Sequence, residues 1–138
     1  MNMLKIESST SFKQDKNYVL TYLQYRKVNV PQYFELINNN DFGILKNNTI
    51  VINGLEYRVD ALCTCSSNSG YDIVNVNKNL QTDNGDTIVI AGVAGDDVIC
   101  MDISTGEIFI WLIETGEWEK EYVAPSIDVF INMINYKK

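Results

Sequence analysis

Asp96, Asp97 and Asp102 stand with Gly92 and Gly95 inside one stretch, IAGVAGDDVICMDISTGEIFIWL (residues 90–112). Three chemistries use such a grouping. A phosphate loop needs G-x-x-x-x-G-K-[ST] running into a helix, so that backbone N–H groups and a lysine meet the phosphates. Here the glycines have the wrong spacing, no lysine follows, and the aspartates would repel an anion. A calcium loop of the EF-hand kind needs oxygen ligands at alternate positions and a glutamate at the twelfth. Neither DNGDTIVIAGVA nor DDVICMDISTGE satisfies that pattern. Acid/base work needs two carboxyls facing each other across a pocket, and neighbours on an extended chain point apart. The expectation is therefore that these glycines let the backbone turn and that the aspartates cap and solvate the turns.

Catalysis finds little else to build on. The 138 residues contain no histidine, which removes Ser-His-Asp and Cys-His nucleophile systems. Of the cysteines, Cys63 and Cys65 lack the spacing of a C-x-x-C redox or zinc motif, and Cys100 stands alone. They read as reduced thiols in or near the core. The expectation is a chain that is not an enzyme and uses no metal or cofactor.

Net charge is −7, the opposite of the basic footprint that nucleic acid demands. An acidic chain suits a basic protein partner, because complementary charge speeds encounter and sets orientation. No apolar run is long enough to span a bilayer, and MNMLKIESSTSFKQDKN does not read as a secretory signal. Both point to the cytoplasm. The length fits one domain over residues 1–138 with enough core to need no staple.

The elements that must position these residues can be read from periodicity. Asp15 to Lys27 predicts a helix with Tyr18, Val19, Tyr22, Leu23 and Tyr25 as its apolar stripe and Arg26-Lys27 at its negative end. Pro31 opens a second helix that buries Tyr33, Phe34, Leu36 and Ile37 and stops between Asn38 and Gly43. Asn53-Gly54 between Thr49–Ile52 and Leu55–Cys65 is a strong hairpin signal. In Tyr71 to Leu80, Ile73, Val74, Val76 and Leu80 fit either a helical face or a strand, and the flanking Ser69-Gly70 and TDNGD turn favour the helix. The asparagines of INNNDFG and VNVNKN read as loop and turn chemistry. Four β-runs follow, at Thr87–Gly92, Asp97–Ile103, Glu107–Ile113 and Trp118–Val123, separated by glycine turns. Ser126 then caps a helix in which Ile127, Phe130, Ile131 and Ile134 share a face and Lys137-Lys138 close the end. Strands and helices are not in regular alternation. The class is α+β: a hairpin and a C-terminal meander in a mostly antiparallel sheet, flanked by helices.

The ordered series resembles the SUKH superfamily over about residues 28–136. An apolar strand ends at Ile88–Ala91. Gly95-Asp96, the strand Val98–Met101, the turn Asp102–Gly106, the strand Ile108–Trp111, Ala124 and Phe130 follow in the family's order. Pro31, Phe34, Ile37, Asn40 and Gly43 resemble the family's entry segment. The resemblance implies an antiparallel sheet flanked by helices. It also implies a role shared by bacterial members: immunity proteins that bind a cognate polymorphic toxin, often a nuclease and therefore basic, and block it. A regulatory or scaffold module that binds some other protein is the alternative.

Partner-binding residues are sought among exposed aromatics and acids, since interface cores favour tryptophan and tyrosine. Trp118 sits in ETGEWEKEY, between Glu117 and Glu119, and is either a partner anchor or a strand residue packing one face. Asp96, Asp97, Tyr57, Asp60, Tyr71 and Asp72 are further candidates, each with a solvated loop or sheet edge as its plain reading. Trp111, alternating with Phe109 in an apolar strand, is assigned to the core.

Overall fold

The computed structural model describes residues 16–39, 43–63, 72–82, 85–95, 97–113 and 119–136. Four helices and seven strands lie within them: α1 (Lys16–Tyr25), α2 (Pro31–Asn39), β1 (Asn48–Ile52), β2 (Leu55–Leu62), α3 (Ile73–Asn79), β3 (Thr87–Val93), β4 (Val98–Asp102), β5 (Ile108–Leu112), β6 (Glu119–Ala124), α4 (Ile127–Met133) and β7 (Asn135–Tyr136). The strands form one sheet in the order β6-β5-β4-β3-β2-β1-β7, and every neighbouring pair is antiparallel. The sheet curls. Asn53, in the turn between β1 and β2, donates to a Glu121 carboxylate oxygen on β6 at 3.0 Å, although β2 stands four places from β6. The fold class is the α+β arrangement that the pattern predicts.

Local chemistry accounts for the turns. Asn53 and Gly54 both hold positive φ, 51° and 81°, as a two-residue hairpin requires. After β4, Asp102 Oδ1 accepts from the backbone N–H groups of Ser104 and Thr105, each at 2.8 Å. Gly106 closes that turn at φ 81°, where an added Cβ would lie 3.3 Å from Val30 Cγ1. Asn29 N–H donates to Ile103 O at 2.8 Å. The Asp102–Gly106 motif is thus a docking point for the segment that enters α2.

The core lies between helices and sheet. Val19, Tyr22 and Leu23 face inward from α1, Tyr33 and Ile37 from α2, Ile127 and Phe130 from α4. They meet Ile50, Val59, Ile88, Ile99, Met101, Ile108 and Ile110, all fully enclosed. Each such side chain contributes roughly 1.5–3 kcal/mol by leaving water.

Three expectations are corrected. Tyr25 does not belong to the apolar stripe of α1, being 72% exposed, and stacks on Tyr22 from outside. The residue at i+7 from Val19 on that face is Arg26, which is 4% exposed and buries its guanidinium rather than presenting it at the helix end. The last helix stops at Met133. Ile134 is extended and fully buried, and the next two residues form β7 against β1, pairing Asn48 with Tyr136 and Thr49 with Asn135. Third, the asparagines of VNVNKN lie in α3 rather than in a loop, and Asn77 among them is buried.

Candidate partner-binding face

Two polar knots fix the middle of the sheet. Asn77 on α3 uses all four of its amide positions. Its Oδ1 accepts from Val89 N–H at 2.7 Å and from Thr82 Oγ1 at 2.6 Å, while its Nδ2 donates to Ile73 O at 2.8 Å and Val89 O at 3.0 Å. β2 ends before it reaches Val89, so Asn77 stands in for a strand partner at that point of β3. Arg26 then donates to Thr82 O at 2.7 Å, Thr87 O at 2.6 Å and the Tyr22 hydroxyl at 3.0 Å. These contacts join α1, the α3–β3 connection and the start of β3.

The far side of the sheet, toward β5 and β6, is built differently. Ile108 and Ile110 point into the core, so Phe109 and Trp111 point the other way, and both are half-buried. Trp111, assigned to the core from its strand, packs against the core cluster but is only partly enclosed. The register sets Phe109 opposite Tyr122 and Trp111 opposite Lys120. Phe109 and Tyr122 meet edge-on with ring centroids 6.0 Å apart, and the Lys120 ammonium lies 5.0 Å from the Trp111 ring centre. Tyr122 is 50% exposed. Alternation places Glu119 and Glu121 on the other side of β6 from Lys120 and Tyr122. Glu119 is exposed and Glu121 half-buried. Burial raises the pKa of the Tyr57 hydroxyl, and the negative charges of Glu121 and Asp97 add to the shift. The geometry is an aromatic strip on the outside of a hairpin whose last strand is acidic.

Not all the residues proposed from sequence belong to it. Glu119 does. Glu117, Trp118, Asp96 and Tyr71 lie outside the described residues. Asp97 is 7% exposed, so it does not solvate its turn; its carbonyl accepts from Val93 N–H at 2.9 Å and leads into β4. Asp72 is fully buried. Its Oδ2 caps α3 by accepting from Asn75 N–H at 3.2 Å and takes a second bond from the Tyr18 hydroxyl at 3.0 Å. Neither aspartate is a surface contact. Missing from the sequence reading were Phe109, Lys120, Glu121 and Tyr122. The signal for them was an alternating aromatic strand followed a few residues later by EKEY.

The thiols behave as core atoms. Burial raises both above an ordinary thiol, Cys100 to about 12, and the nearby Asp72 charge adds to the rise at Cys63. Among the described residues, no group of three or more Cys, Asp or Glu is placed to hold a metal, and no helix is long and apolar enough to cross a membrane. A hollow of about 460 Å³ beside α1 is lined by Asn17, Tyr18, Thr21, Tyr22 and Val74, with no carboxylate or thiol among them.

Asp72 gives a pH signature. Burial is the largest influence and raises its carboxyl above the ordinary value, against the bonds from Asn75, Tyr18 and Val74 that favour the anion. Its Oδ1 is buried with no hydrogen-bond partner among the described residues. A carboxyl raised on folding binds its proton more tightly in the native state, so stability falls as pH rises from the ordinary carboxylate range through the raised value. Asp72→Asn keeps an acceptor for Asn75 and Tyr18 and removes the titration. Urea midpoints of the two proteins, followed from pH 7 down to pH 3, should therefore shift relative to each other, the native chain gaining on the variant as pH falls. Midpoints that move in parallel would exclude a raised Asp72. Asp102 cancels in this comparison because both proteins carry it. Burial alone would raise its carboxyl, but the Thr105 and Ser104 N–H bonds and the Lys120 charge outweigh that and hold it low.

The sheet, its flanking helices and the aromatic, acid-lined hairpin define an α+β domain whose most distinctive feature is an outward face. The chain belongs to the SMI1 / KNR4 family (SUKH-1), whose model matches residues 6–133. No curated protein and no solved structure matches it.

Proposed function

We propose that this chain is a non-catalytic immunity protein that binds a cognate polymorphic toxin in the cytoplasm and neutralises it. Membership of the SUKH-1 family carries the reading. The β5–β6 hairpin supports it, because Phe109, Trp111 and Tyr122 provide stacking surface and Glu119 and Glu121 provide charge for a basic toxin. Net charge of −7 would steer such an encounter from a distance. Inhibition needs no chemistry from the immunity protein. It needs tight occlusion of the toxin's own site.

The test is survival. The protein encoded beside this gene is expressed with and without the chain, and colonies are counted. The expected result is killing by the neighbour and restored growth with the chain. A chain carrying Glu119→Lys and Glu121→Lys should restore at least about tenfold fewer colonies, since like charge across an interface costs more than a kcal/mol. Alanine at Glu117, Trp118 and Glu119 comes next. A harmless neighbour, or one that kills regardless, removes the cognate-pair reading and turns the search to pull-down of another protein partner.

A further inference from the structure

The partner is held, we propose, by main-chain pairing: an extended segment of a basic protein adds to the outer edge of β6 at Glu119–Tyr122 as a further strand of the sheet. This deepens the binding role given above and rests on it for the identity of the partner.

The two ends of the sheet are unequal. One ends in β7, only two residues long. The other ends in β6, six residues long and, among the described residues, paired with β5 alone. A terminal strand leaves alternate N–H and C=O groups facing outward, ready to accept another strand. The register slips between Ile108 and Phe109, leaving Val123 as an extra residue on β6, so the regular edge runs from Glu119 to Tyr122. Glu119, Lys120 and Tyr122 are exposed along it.

Protected edges carry a lysine that projects over the open side. Lys120 does not serve that purpose here, because its ammonium is folded back over Trp111 on β5. The groups left to greet an incoming strand are Glu119 on one face, with the half-buried Glu121 beside it already holding the Asn53 amide through one carboxylate oxygen, and Tyr122 on the other. A matching segment therefore carries lysine or arginine opposite the glutamates and an apolar residue opposite Tyr122. A second copy of this chain fits poorly. Each copy carries −7, and antiparallel pairing centred on Lys120 or Glu121 sets like charges opposite each other.

The experiment uses the whole chain, isotope-labelled, and a six-residue peptide of alternating lysine and valine. Two controls are the same peptide with glutamate for lysine, and one N-methylated at alternate residues so that it cannot form a ladder. The Lys/Val peptide should shift the amides of Glu119–Tyr122 and slow exchange at alternate ones by about tenfold or more. Both controls should leave them unchanged, and Glu119→Lys with Glu121→Lys should abolish the shift while the thermal melt stays cooperative. No shift at millimolar peptide, a shift confined to other strands, or an equal shift with the N-methylated peptide overturns strand addition. Protection of the same amides by concentrating the chain alone overturns the basic partner in favour of a second copy. The survival assay is independent: rescue with a silent edge removes only strand addition, whereas a responsive edge without rescue removes only the toxin as partner.

Discussion

Asn77→Leu should lower the stability of this domain by about 2 kcal/mol or more, because two buried polar groups lose their partner and each orphan costs about 1–3 kcal/mol. The groups are the N–H and C=O of Val89, while the Thr82 hydroxyl exchanges its 2.6 Å bond for the backbone carbonyl of residue 77 at 3.4 Å. Leucine has the same branching and is larger than asparagine, so the loss would not reflect a cavity. A domain of this size holds on the order of 5–15 kcal/mol in all, so a large share of its stability is at risk. Urea unfolding followed by fluorescence of Trp111 and Trp118 measures it. Asn77→Asp separates hydrogen bonding from shape. At neutral pH an aspartate cannot donate to Val89 O and buries a charge, so it should be as damaging as leucine. A buried carboxyl is raised on folding, so acidification should return part of the loss for aspartate and none for leucine. If leucine proves neutral, Asn77 is not the missing strand partner of β3.

That position also shows why part of the fold was legible and part was not. Asn53-Gly54 announces its own backbone, since few other pairs accept positive φ twice, and the hairpin follows from two residues. Ser126 announces α4 in the same way, its side chain accepting from Val129 N–H. These are local signals, and local signals survive in a sequence. Asn77 is different. Its spacing in VNVNKN is that of any polar residue on a helix, and its burial depends on β2 ending short of Val89. β7 is two residues long and carries no period at all. The candidate site divides along the same line. Acidic and aromatic composition drew attention to residues 117–119, but the strip of Phe109, Trp111, Lys120 and Tyr122 exists only through the register of β5 against β6. Asp72 and Asp97 look like surface acids by type, and only the packed fold encloses them.

Arg26→Met should cost about 2–4 kcal/mol, less than the sum of its bonds. A bond from a charged donor contributes about 1.5–3 kcal/mol, but removing a buried cation also removes the cost of taking it from water. What remains unanswered is the carbonyl of Thr87, which no other side chain among the described residues binds, whereas Thr82 O keeps the Gly85 N–H at 2.9 Å. Arg26→Lys is the sharper test. One ammonium cannot reproduce the fork that reaches Thr82 O and Thr87 O at 2.7 and 2.6 Å together with the Tyr22 hydroxyl, yet it retains the charge that must be buried. Lysine should therefore be at least as destabilising as methionine. A lysine variant close to the native midpoint would mean that charge alone suffices there. Thr82 touches both Arg26 and Asn77, so the two knots should not be independent. In a double-mutant cycle with Asn77→Leu, Arg26→Met should lose less than it does alone, by about 0.5 kcal/mol or more, because the first substitution has already loosened the Thr82 segment that the arginine holds. Strict additivity would separate them into two unrelated contacts. It would also remove the reason for treating α1, α3 and the start of β3 as one rigid support for the strands that carry the outward face.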